Sequence, residues 1–63
     1  MDFAPEVKRI LRENDCKFYR EGKGDHSIWE RPDGHRFPVD SKIKSRHTAN
    51  GIMKQAGIKH HFQ

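Results

Sequence analysis

Sixty-three residues allow one small domain with a modest core and a slim margin of stability. Cys16 is the only cysteine, so an internal disulfide is excluded, and no apolar run approaches the ~20 residues that span a bilayer. The net charge of +4 comes from thirteen Lys and Arg against nine Asp and Glu, and its placement is uneven. Every acid lies at or before Asp40, whereas residues 41–63 carry Lys42, Lys44, Arg46, Lys54 and Lys59, with His47, His60 and His61. A segment of one sign attracts polyanions or an acidic protein, or is simply a solvated face. The first residues have neither the basic head nor the apolar stretch of a signal peptide, so a soluble cytoplasmic protein is expected, with Cys16 a structural thiol.

Phe3, Val7, Ile10 and Leu11 recur at i, i+4, i+7 and i+8, a single stripe that predicts a helix over 3–14. Pro5 suits a first turn but biases Ala4 away from helical angles. The helix therefore starts at Pro5 or, if earlier, with Asp2 as a cap. Asn14 and Asp15 end it, since either adopts a turn conformation. Residues 16–21 read as a strand with Cys16, Phe18 and Arg20 on one face and Lys17, Tyr19 and Glu21 on the other.

Residues 26–31 form a second strand, with His26, Ile28 and Glu30 on one face and Ser27, Trp29 and Arg31 on the other. Alternation leaves open whether Ile28 or Trp29 points inward, although a small domain rarely exposes its only Trp. The competing placement sets Trp29 beside Tyr19 on an outer face, where both could stack on bases. Pro32-Asp33-Gly34 is a hairpin turn, and residues 35–39 are a third strand with Phe37 and Val39 inward. Pro38 cannot donate to a ladder, which makes this strand an edge or a short one.

Residues 40–44 read as a basic connector. Ser45 is an N-cap, and Ala49, Ile52, Met53 and Ala56 are the stripe of a second helix. Gly57 stops it, and Ile58 would fold back on Met53 in a Schellman motif. Residues 59–63 read as a frayed tail. The expected architecture is α+β, helix, three antiparallel strands, helix, with both helices on one face of the sheet.

The chemistry concentrates in residues 21–29, E-G-K-G-D-H-S-I-W. Gly22 and Gly24 permit a tight turn whose bared N–H groups, with Lys23, suit a phosphate. His26 exchanges a proton near neutral pH, so phosphate grip and proton transfer adjoin. The plainer reading is a hairpin turn with an exposed histidine. Lys42, Lys44 and Arg46 are candidates for phosphate-backbone contacts. Asp25 is a poor orienter for His26, because neighbours on a strand point to opposite faces. His35 follows a turn, and His47 lies in the first turn of the second helix; both read as surface residues. His60 and His61 have no Cys or carboxylate at ligand spacing, so neither a structural metal nor a cofactor is expected.

The element order, the Gly-Lys-Gly-Asp-His turn ending at His26, and the Lys54-Gln55-Ala56-Gly57-Ile58 ending together resemble the HicA family over about residues 3–58. These are the small toxins of HicA–HicB toxin–antitoxin modules. The resemblance implies an αβββα fold like that of the double-stranded-RNA-binding domain, metal-independent endonucleolytic cleavage of mRNA, and a HicB-like antitoxin, which to neutralise the toxin should cover His26 or block the RNA path beside it. It makes His26 the match to the family's catalytic histidine, with Gly24 where Ser is common. A noncatalytic RNA-binding module of the same fold is the alternative.

Overall fold

The computed structural model describes residues 2–63. Helix α1 spans Ala4–Glu13, followed by strands β1 (Lys17–Glu21), β2 (His26–Glu30) and β3 (Arg36–Asp40), then helix α2 (Arg46–Ala56). The strands form one antiparallel sheet in the order β1-β2-β3, so β2 is central and the Pro38-bearing β3 is an edge, as expected. Val7, Ile10 and Leu11 of α1 and Ala49, Ile52 and Met53 of α2 are buried together with Trp29, Phe37 and Val39 of the sheet. This is the αβββα arrangement of the double-stranded-RNA-binding domain, with the other face of the sheet left open.

The helix ends follow from local chemistry. Helix α1 begins at Ala4 because Asp2 Oδ1 accepts its N–H at 3.0 Å, which supports a start ahead of Pro5. Its far end turns on Asp15, held at φ 63°, while Cys16 N–H reaches back to Leu11 O at 2.9 Å. Ser45 caps α2 through the His47 N–H at 3.1 Å. Gly57 at φ 72° closes it, and Ile58 N–H bonds Met53 O at 2.9 Å, the Schellman pattern expected.

Trp29 is the inward residue of β2, and its indole N–H donates to Ser27 Oγ at 3.1 Å. Tyr19 therefore does not share a face with it. A bulge separates the Phe18–Trp29 pair from the Arg20–Ile28 pair. Arg20 thus lies on the open face with Ile28, not with Cys16 and Phe18, because one extra residue reverses the alternation.

Two further expectations are corrected. Ile43, in the supposed basic connector, is fully buried; its N–H bonds Asp2 Oδ1 at 2.9 Å and its carbonyl accepts from Phe3 N–H at 2.6 Å. The tail is not frayed. Phe62 is buried edge-on against Phe3, with ring centroids 5.4 Å apart. Asn50 pins its backbone by accepting its N–H at 2.6 Å and donating to its carbonyl at 3.0 Å.

Candidate functional site

His26 opens β2, and its position follows from the alternation that buries Trp29. If Ser27 and Trp29 face the core, then His26, Ile28 and Glu30 face out. Strand β3 pairs in regular register, His26 opposite Asp40, and directly opposed residues project to the same side. The two side chains meet there: His26 Nε2 lies 3.0 Å from Asp40 Oδ1, with the imidazole half-exposed. With Nε2 engaged by the carboxylate, Nδ1 is the nitrogen left for another partner.

The preceding turn is tied down at both sides. Gly22 N–H donates to His26 O at 2.9 Å, and Asp25 O accepts from Ser41 N–H at 2.7 Å. The turn and the segment after β3 therefore meet at one end of the sheet. Gly24 needs its freedom at φ 64°, whereas Gly22 is needed for space: a Cβ there would stand 3.2 Å from His26 O. Because the Gly22 N–H is engaged within the hairpin, its part is to shape the turn, not to hold an anion. Lys23 is exposed in the turn. A shallow depression at this end of the sheet is lined by Lys8, Glu21, Gly24, Asp25, His26, Ser27 and Ser41.

The predicted cations gather only in part. Lys42 directly follows Ser41 and is exposed. Lys44 and Lys42 lie near Asp2, whose carboxyl is held below its ordinary value first by the Ile43 N–H, then by the Ala4 N–H, with smaller help from these lysines. Arg46 is exposed at the start of α2, outside the depression at His26. His35 is exposed just past the far hairpin turn, and His47 is exposed in α2. His60 packs on Phe62 with centroids 4.6 Å apart. Among the described residues no three His, Cys, Asp or Glu side chains converge as metal ligands would. Cys16 is buried, and burial pushes its thiol pKa up, away from nucleophilic use.

Asp40 and Lys8 escaped the sequence reading. Lys8 sits off the apolar stripe of α1 and looked like any solvated lysine. Asp40 had a signal: it and His26 lie seven residues to either side of Asp33, the centre of the turn, so a regular hairpin must oppose them.

A family model described as the HicA toxin of bacterial toxin–antitoxin matches residues 4–58. The chain belongs to the HicA toxin family. The matched span runs from the start of α1 to Ile58 and contains both His26 and Asp40. As a HicA toxin, the protein is the toxin of a toxin–antitoxin pair, and an antitoxin is its partner. Neither the curated proteins nor the solved structures offer a match. Among the described residues no helix is long and apolar enough to cross a membrane.

Proposed function

We propose that this HicA toxin is a cytoplasmic endoribonuclease that cleaves mRNA, with His26 as its catalytic residue and Asp40 as the residue that positions it. The observation that carries the reading is the His26–Asp40 pair, 3.0 Å apart on an open sheet face, half-exposed and beside a lysine-bearing turn. A histidine buried for packing has no need of such a partner in the open. The carboxylate keeps the proton on Nε2 and stabilises the imidazolium once it forms, the logic of an aspartate behind a catalytic histidine.

Nδ1 then takes the proton of a ribose 2′-OH. The 2′-oxygen bonds to the adjacent phosphorus, the bond to the 5′-oxygen breaks, and the leaving oxygen takes a proton from water. A 2′,3′-cyclic phosphate and a 5′-hydroxyl result. Lys23 and Lys8 supply positive charge where the phosphorane gathers negative charge. Lys42, Lys44 and Arg46 hold flanking phosphates, and Gly22 and Gly24 shape the turn. His26 and water carry the proton transfers, so cleavage persists in a chelator. A HicB-like antitoxin neutralises the toxin by covering His26 or the RNA path beside it; a complex that leaves both open would refute that arrangement.

The decisive experiment is His26→Ala, assayed for growth arrest, RNA cleavage and RNA binding. Cleavage and arrest should be lost while RNA binding and the melting temperature stay close to those of the parent. Arrest undiminished in His26→Ala would leave a noncatalytic RNA binder as the better account. Efficient cutting of a 2′-deoxy substrate would rule out attack by the 2′-oxygen.

A further inference from the structure

The open face of the sheet carries a second cluster besides His26 and Asp40. The bulge in β1 leaves Tyr19 and Arg20 both on this side. Arg36 of β3 reaches across the central strand and lays its guanidinium over the Tyr19 ring, 3.9 Å from its centroid. Glu30 of β2 steadies that guanidinium, with Nε to Oε2 at 3.2 Å. Between this stack and the His26–Asp40 pair lies an apolar step, Ile28 opposite Pro38.

Tyr19 is 45% exposed, so packing does not account for it. Nor do the charges cancel. Of the acids on this face, Glu30 is engaged by Arg36 and Asp40 by His26, while among the described residues Lys17 and Arg20 have no carboxylate in ion-pair range. A flat aromatic–guanidinium stack beside two cations without carboxylate partners, Arg20 donating only to the Glu21 carbonyl at 3.0 Å, matches the chemistry of an unpaired nucleotide: a π face for the base and positive charge for the phosphate. A duplex meets only the phosphate arm of that recognition, because its bases are already stacked inside.

We infer that Tyr19 and Arg36 form a base-stacking subsite for single-stranded RNA, occupied by a base within a couple of nucleotides of the phosphate at His26. Lys17 and Arg20 hold the backbone there. The inference rests on the proposed cleavage at His26, and it adds a preference for unpaired substrate and a subsite that reads a base by its face. From His26 to Glu30 along β2 is about 13 Å, a span that a short unpaired strand crosses.

The test measures the affinity of His26→Ala protein for a short fluorescent single-stranded RNA containing a site mapped with the active toxin. Adding Tyr19→Ala should weaken binding about fivefold or more. Tyr19→Leu, which keeps apolar bulk without the ring, should weaken it similarly, while Tyr19→Trp and Tyr19→Phe should keep it. An abasic nucleotide at one position near the cut should cost the parent the same factor and abolish the effect of Tyr19→Ala. Parent-like affinity in the Ala and Leu variants overturns the subsite and leaves the proposed function standing. So does a loss confined to antitoxin binding, which would make this face a protein dock. Failure of the His26→Ala parent to bind any RNA removes both proposals.

Discussion

An imidazole at the first position of a strand has rotamers to choose from, and a general base is useful only in one of them. Asp40 makes that choice for His26 through one contact of 3.0 Å. Asp40→Ala should therefore lower kcat about tenfold or more and leave KM nearly unchanged, with partial rescue by Asp40→Glu. Steady-state kinetics on a defined RNA would decide it, and a change in KM alone would assign Asp40 to substrate binding instead. Both side chains are substantially exposed, so melting should move little. His26 was legible as a candidate because its turn carries two glycines and a lysine just ahead of it. Asp40 was missed, because its one signal, the equal spacing of the two residues about Asp33, belongs to hairpin register and no reading along one strand contains it. The exposed histidines and the buried Cys16 matched their expected places for a simpler reason: local position and size settle their exposure.

At the scale of elements, the two helix ends differ in how well their residues suit them. Asp15 holds a left-handed conformation that costs a side chain energy, so Asp15→Gly should stabilise the protein by about 0.5 kcal/mol. Ser45→Ala removes a satisfied cap and should destabilise it by about 1 kcal/mol. Denaturant melts of both variants should move in opposite directions; movement in the same direction would contradict the cap assignments. Both helices, the proline turn and the Gly57 stop were readable because each signal is local: a 3.6-residue stripe, a turn tripeptide, a glycine after the last apolar position. Ile43, Phe62 and the bulge were not. A lone isoleucine in a basic run has no periodicity, Phe62 is held by Asn50 twelve residues earlier, and a bulge exists only between two paired strands.

Asp2 belongs to the same scale, since one carboxylate joins the start of α1 to the segment between β3 and α2. Its carboxyl is held below the ordinary value by those N–H bonds, so folding is favoured when it is ionised. That contribution is complete above the unfolded value, about pH 4, and fades as pH falls through the lower folded value. Asp2→Asn should melt earlier than the parent at pH 7, and the gap should narrow below about pH 4. An equal gap at both pH values would mean that the clamp works by shape and not by charge.

Over the whole molecule, the unequal placement of charge becomes a spatial asymmetry. The acid-free portion starts directly after Asp40, so its first cation, Lys42, is tied to the His26 end of the sheet through the Ser41–Asp25 bond. Lys44 and Arg46 continue from there to the start of α2, and all three are exposed. A field of this kind brings RNA to the site but contributes little to folding, because exposed cations are solvated either way. On a single strand each neutralised phosphate adds about 0.7 to the slope of log affinity against log salt. Lys42→Ala should flatten that slope by about 0.7 and the triple alanine variant by about 2, with affinity falling at low salt and melting unchanged. The measurement is a salt titration of RNA binding in the His26→Ala background. An unaltered slope in the triple variant would show that these cations hold no phosphate. The positive segment would then serve the antitoxin, and RNA would reach His26 across the open sheet face alone.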